Sequence, residues 1–149
     1  MKTIILFISL IFSSAVFAQG VQWKSLEEAE ALIKKDPTKQ ILLYFYTDWC
    51  GYCKKMEKET FAQSEAADFI NQHYIPVKFN AESKDNVHFL GYNYSYIPKG
   101  RVNAFAFFLL QGQAAYPSTI IINKDTKASQ FLMGYLSPSN FMAQLNNPN

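Results

Sequence analysis

"QILLYFYTDWCGYCKKMEKETF", Gln40 to Phe61, decides how the chain is read, because it sets the only two cysteines where two unlike patterns meet. From Gln40 to Thr47 the residues form a short, continuous apolar and aromatic run, as in a strand buried on both faces. From about Cys50 into the Glu57 region the pattern turns charged and helix-like. Cys50 and Cys53 stand at i and i+3, so a helix projects both sulfurs from one face. Cys50 falls at the helix N-terminus, where free N–H groups and the positive end of the dipole stabilise a thiolate. The thiolate is the nucleophilic form, so this placement favours chemistry at Cys50.

Such a pair can be a staple, half of a metal site or a redox centre. A metal needs about four ligands, and the two histidines, His73 and His88, lie outside any compact spacing with the cysteines. Covalent haem attachment requires histidine directly after the second cysteine, where this chain has Lys54. A staple closing so short a loop restrains little of the unfolded chain, and 149 residues suffice for a core that needs none. Redox chemistry is the favoured use. No metal is expected, and no cofactor beyond the disulfide Cys50–Cys53 itself.

Composition agrees with one folded domain: 49% of residues are hydrophobic and 17% charged. A net charge of +2, with no arginine-rich stripe, gives no electrostatic case for nucleic acid. The N-terminus, "MKTIILFISLIFSSAVFAQG", has Lys2 before an apolar run from Ile4 to Phe12 and small residues at Val16 and Ala18, as in a secretory leader. The run is shorter than the about 20 residues of a spanning helix. Residues 1–18 are therefore expected to be a signal peptide cleaved after Ala18, leaving an exported, soluble domain over 19–149, most simply periplasmic. Loss of Lys2 lowers the net charge from +2 to about +1.

The rest of the chain alternates helix and strand. "SLEEAEALIKKDP" predicts a helix capped by Ser25, with Glu27 and Glu28 in its first turn and Lys34 and Lys35 in its last. "SEAADFINQHY" predicts another, and "IPVKFNAE" a strand with Pro76 near its start. "VNAFAFFLLQG" reads as a helix stopped at Gly112, with Phe105 to Leu110 as core. "STIIIN" and "ASQFLMG" read as strands across a turn, and "SPSNFMAQL" as a helix with Ser137 as cap and Pro138 at its first position. The order implies one α/β domain with a sheet covered on both faces.

Laid out this way, Trp49-Cys50-Gly51-Tyr52-Cys53-Lys54 after a buried strand resembles the active site of thioredoxins. The likeness continues in "VKFN" (Val77 to Asn80), in "YPSTIIIN" from Tyr116 and in "GYLSPSNFMAQL" from Gly134. It spans roughly Ser25 to Leu145, apart from an insert at about 82–100. "TDWCGYCKKMEKETF" is most similar to exported thioredoxin-like proteins of the thiol–disulfide interchange group, including the C-terminal domain of DsbD. The resemblance implies a thioredoxin-like fold, a central mixed sheet with helices on both faces and the insert before a cis-proline. From the residues alone Pro117 reads as a loop proline before a strand; the resemblance implies a cis Tyr116–Pro117 bond facing the disulfide.

That resemblance implies a thiol–disulfide oxidoreductase acting on protein disulfides through a mixed disulfide. Cys50 attacks as the exposed thiol and Cys53, more buried, resolves. Trp49, Gly51, Tyr52, Tyr116 and Pro117 would meet the substrate. One departure stands out. Many thioredoxins carry a buried aspartate six residues before the first cysteine, where this chain has Tyr44, although Lys78 matches the usual lysine partner. A proton relay would then use Glu57, Tyr44, Lys78 or water. The uncharged Gly51-Tyr52 dipeptide does not depress the Cys50 thiol, so a reductant supplied by a membrane-bound electron donor ranks ahead of an isomerase or oxidase, and of a non-enzymatic binding protein. In the insert, Tyr92, Tyr94 and Tyr96 alternate and would share one face of a strand, either packed over a sheet edge or exposed as an aromatic wall for a partner protein.

Overall fold

The computed structural model describes residues 20–125 and 127–146; the expected signal peptide lies outside them. A four-stranded sheet carries the fold, in the order β2 (Tyr74–Asn80), β1 (Gln40–Tyr46), β7 (Ser118–Ile122), β8 (Ala128–Met133). β1 runs parallel to β2 and antiparallel to β7, and β7 and β8 form a hairpin, so the sheet is mixed. β1 sits centrally with Ile41 to Phe45 entirely buried, which is why its sequence shows no alternation. Alternate residues still part to opposite faces: Ile41, Leu43 and Phe45 join one core cluster, Leu42 and Tyr44 the other. Pro76 is tolerated because β2 is an edge strand, and its carbonyl accepts the Lys24 N–H at 2.8 Å.

The helices follow their local signals. α1 (Leu26–Lys35) opens on a capping box in which Glu28 N–H donates to Ser25 Oγ at 3.1 Å and Ser25 N–H to Glu28 Oε2 at 2.8 Å. α2 (Gly51–Met56) begins at the cysteines and passes into a π-helical turn, Glu57–Phe61, before α3 (Ser64–His73). α5 (Pro138–Asn146) starts at its proline and turns its own Phe141, fully buried, into the core. Among the described residues, no helix is long and apolar enough to cross a membrane.

Two expectations need correction. Tyr92, Tyr94 and Tyr96 do not share one strand. β4 (Tyr92–Tyr94) pairs with β3 (Val87–Phe89), whereas β5 (Tyr96–Ile97) pairs with β6 (Val102–Asn103), so the run breaks at Ser95 into two ribbons. Phe89 is fully buried and Tyr94 packs edge-on against Phe105 at 5.3 Å, which makes the insert a packed excursion rather than an aromatic wall at the disulfide. Nor is all of Phe105 to Leu110 core. α4 (Ala104–Leu109) is apolar all round, so helical periodicity turns Phe105 and Ala106 inward and leaves Phe107 at 41% and Phe108 at 64% exposure. Gly112, at φ +76°, ends the turn by donating its N–H to the Phe107 carbonyl at 2.7 Å.

Candidate active site

β1 delivers the chain through Thr47, Asp48 and Trp49 to Cys50, which caps α2. The Cys50 N–H donates to Thr47 O at 3.2 Å, and Cys50 Sγ accepts the Cys53 N–H at 3.1 Å. The two cysteines are joined as a disulfide with Cα atoms 5.2 Å apart. Cys53 is 1% exposed, and Cys50, expected to be the exposed thiol, only 4%. In the disulfide both sulfurs are tied together inside the cluster that holds Tyr44, Met56, Phe61 and Phe141, with Tyr116 and Tyr135 packed against it.

The surface around this buried bond is aromatic. Trp49 is 66% and Tyr52 65% exposed, so neither is core. Trp49 meets Tyr116 edge-on at 6.3 Å, and Tyr52 meets Tyr135 at 6.3 Å on the other side. Gly51 lies between them, and a Cβ there would touch nothing. The Tyr116–Pro117 bond is cis, and Pro117 O accepts the Gly134 N–H at 2.8 Å, holding the start of β7 against the end of β8. Burial, and secondarily the Glu82 charge, push the Tyr116 phenol above its ordinary value.

Beneath the disulfide, Tyr44, Glu57 and Lys78 come together from three elements. Tyr44 donates its hydroxyl to Cys53 O at 3.1 Å; Glu57 N–H donates to the same carbonyl. Lys78 Nζ pairs with Glu57 Oε2 at 2.7 Å and lies 4.4 Å from the centre of the Tyr46 ring. Burial first, then the nearby Glu57 charge, raise the Tyr44 phenol far above its usual value, so it stays protonated.

Two features escape sequence inspection. Tyr135 donates to Glu59 Oε2 at 2.7 Å, which raises its phenol, while Lys55 Nζ stands 4.7 Å over its ring; these partners lie 76 residues or more apart and carry no shared local signal. A groove of about 380 Å³ runs from Trp49 and Tyr116 to Arg101, Val102 and Phe107, with Glu82 beside it. Among the described residues, no group of three or more His, Cys, Asp or Glu could hold a metal ion.

The sheet order, the disulfide at the head of α2 and the cis-proline just before β7 define a thioredoxin-like protein. The chain belongs to the thioredoxin-like domain family, which it matches over residues 26–148. It is similar to the thiol:disulfide interchange protein DsbD of Photorhabdus laumondii, with 29% identity over 104 residues, 60% of this chain but 18% of that one. It is 30% identical over 71 residues to the disulfide bond reductase DsbH of Chlamydia pneumoniae, covering 48% of this chain and 43% of the relative. The aligned stretches thus span less than half of either curated relative. A solved structure named DsbH oxidoreductase superposes with a TM-score of 0.59 at 22% identity, covering 93% of this chain and 90% of that one, and shows a shared fold.

Proposed function

We propose that the protein is an exported thiol–disulfide oxidoreductase that reduces protein disulfides, with the Cys50–Cys53 dithiol as its sole redox centre. The observation that carries this is the placement of Cys50: it caps a helix, its sulfur faces the N–H of Cys53, and an exposed aromatic rim surrounds an otherwise buried bond. In the dithiol form the Cys50 thiolate attacks a substrate cystine, one substrate sulfur leaves as a thiolate, and a Cys50–substrate disulfide forms. Cys53 then attacks Cys50 Sγ, releasing the second substrate thiolate and closing the intramolecular disulfide. Trp49, Tyr52 and Tyr116 form the contact surface, Gly51 leaves room beside them, and an extended segment would pair with the backbone at Tyr116, ahead of Pro117, whose own carbonyl is taken by the Gly134 N–H.

Resolution requires Cys53 to lose a proton. Tyr44 is a donor to Cys53 O and is held protonated, so it serves position and not proton uptake. Glu57, one turn after Cys53 and charge-paired with Lys78, is the carboxylate that takes the proton, directly or through water. Like the family's buried aspartate, it supplies a negative group below the second cysteine, but from the helix rather than the strand.

The electrons would come from a membrane-bound donor. The DsbH relative is named a disulfide bond reductase, which supports the reductive direction. Equilibration in glutathione buffers tests it. A potential near ~−270 mV fits a reductant, and one near ~−120 mV overturns the direction in favour of an oxidase. Trapping protein partners on Cys53→Ala tests the mixed disulfide, and full function of Cys50→Ser in the cell would sink the enzymatic reading.

A further inference from the structure

The groove beside the disulfide has walls of two origins. Trp49 and Tyr116 belong to the rim; Arg101 and Val102 directly follow the insert, whose last residue, Gly100, lines the groove beside them, and Phe107 comes from the outward face of α4. Resting on the thiol–disulfide exchange proposed above, we infer that the insert wall is a specificity subsite. It takes an extended, cystine-bearing polypeptide segment that lays a large apolar side chain against Phe107 and Val102 and sets a carboxylate, further from its cysteine, against Arg101.

The insert wall is built rather than loose. Asn103, fully buried, donates from Nδ2 to Ser83 O at 3.0 Å and Asp85 O at 2.9 Å, accepts Phe105 N–H at Oδ1 at 2.9 Å, and donates its own N–H to Ala81 O at 2.7 Å. It clamps the two ends of the insert together two residues from Arg101. Arg101 itself turns the chain at φ +50°, a conformation non-glycine residues rarely adopt, with its N–H on Pro98 O at 3.2 Å. Gly112 holds the other wall: a Cβ there would lie 3.6 Å from the Phe107 ring, so the turn packs directly under it. The volume, about 380 Å³, lies at the lower end of the ~300–1,000 Å³ of ligand sites.

Charge fixes the polarity of the occupant. Arg101 is exposed and has no ion pair or side-chain hydrogen bond among the described residues, and its planar fork suits a carboxylate. At the disulfide end the signs reverse: the Glu82 charge bears on the Tyr116 phenol, and Asp48, next to Trp49, accepts the Asn80 Nδ2–H at Oδ2, so two carboxylates stand near the rim. An acidic residue next to the substrate cysteine is repelled there; the same residue at the insert end is attracted.

The test uses the Cys53→Ala protein and two peptides, each with one cysteine as a mixed disulfide with thionitrobenzoate, one phenylalanine, and beyond it either glutamate or glutamine. The Cys50 thiolate attacks the peptide sulfur, the Cys50–peptide bond forms, and the coloured aryl thiolate leaves with the electron pair. The glutamate peptide is expected to react about threefold faster, the range of an exposed ion pair. Arg101→Glu should invert the ratio, Lys39→Glu at the far end of the sheet should keep it, and molar salt should collapse it. A ratio of one, or a preference that survives Arg101→Glu, overturns the subsite. Because only the attack step is read, an oxidase would still show the ratio, so an error in direction leaves it standing; no reaction with either peptide overturns both. If Cys53→Ala weakens the fold, competition of the two peptides for the wild-type dithiol reads the same ratio.

Discussion

Glu57→Gln separates proton uptake from scaffolding. The substitution keeps the shape of the side chain and removes its charge, leaving Lys78 without the partner now at 2.7 Å. That pair is 26% and 31% exposed, so its loss should cost under ~1 kcal/mol, and Lys78 keeps its place 4.4 Å over the Tyr46 ring. A fall in melting temperature of about 2–4 °C is then expected, too small to confuse with failure to fold. The kinetic effect should be far larger. Without a positioned carboxylate, Cys53 must give its proton to solvent, and decay of the mixed disulfide should slow by about a hundredfold at neutral pH. It should also gain a steeper pH dependence, rising about tenfold per unit wherever supply of the Cys53 thiolate limits the step. Stopped-flow fluorescence of Trp49, which abuts Tyr116 at the rim, can follow that decay from acid to alkaline pH. Tyr44→Phe is the matched control. It deletes one hydrogen bond, worth about 1 kcal/mol, while the Cys53 carbonyl keeps the Glu57 N–H and the ring keeps Trp23 and Phe61. Its pH profile should follow wild type. Wild-type decay in Glu57→Gln together with slow decay in Tyr44→Phe would refute the assignment of the proton to Glu57.

Trp49→Ala should slow trapping of protein substrates on Cys53→Ala by about tenfold, the effect of losing one large contact residue, and an unchanged rate would remove Trp49 from the contact surface. Asn103→Ala orphans the buried Phe105 N–H and the part-buried carbonyls of Ser83 and Asp85, and urea titration should show a loss of about 2 kcal/mol. The Glu30 carboxyl is held below its ordinary 4.5, first by the Lys34 hydrogen bond and then by the Leu90 N–H. Its contribution is thus complete above that value and is lost as pH falls through the depressed one. Glu30→Gln should accordingly be less stable than wild type near pH 7 and match it in strong acid, as denaturation at several pH values will show.

What could be read in the sequence was local. Ser25 with Glu28, Pro138 at a first helical turn and Gly112 as a stop each act within one turn of chain, and the structure places all three as expected. The strand-to-helix junction at Cys50 was equally plain, because a two-faced buried strand and a charged helix differ in pattern. What was misread depends on distant partners. Nothing near Ser95 announces that Tyr94 pairs toward Val87 and Tyr96 toward Asn103. An all-apolar stretch such as Phe105 to Leu110 has no polar face to reveal which side meets solvent.

The same limit bears on the site. Tyr44 in place of the family's buried aspartate looks, in one dimension, like a missing proton acceptor. In three dimensions the strand position has exchanged a charge for a hydroxyl that fixes the Cys53 carbonyl, and the charge has moved to Glu57 with Lys78 still opposite it. A carboxylate on the partly exposed flank of the helix, paired with Lys78, keeps hydration that one sealed under β1 would lose. With Glu57 as the proposed acid–base group, the chain holds it within a turn of its second cysteine without burying an unpaired charge in the core. On that proposal Tyr44 can be wholly enclosed among Trp23, Phe61 and Tyr46, because the group that takes the proton need not be the group that packs.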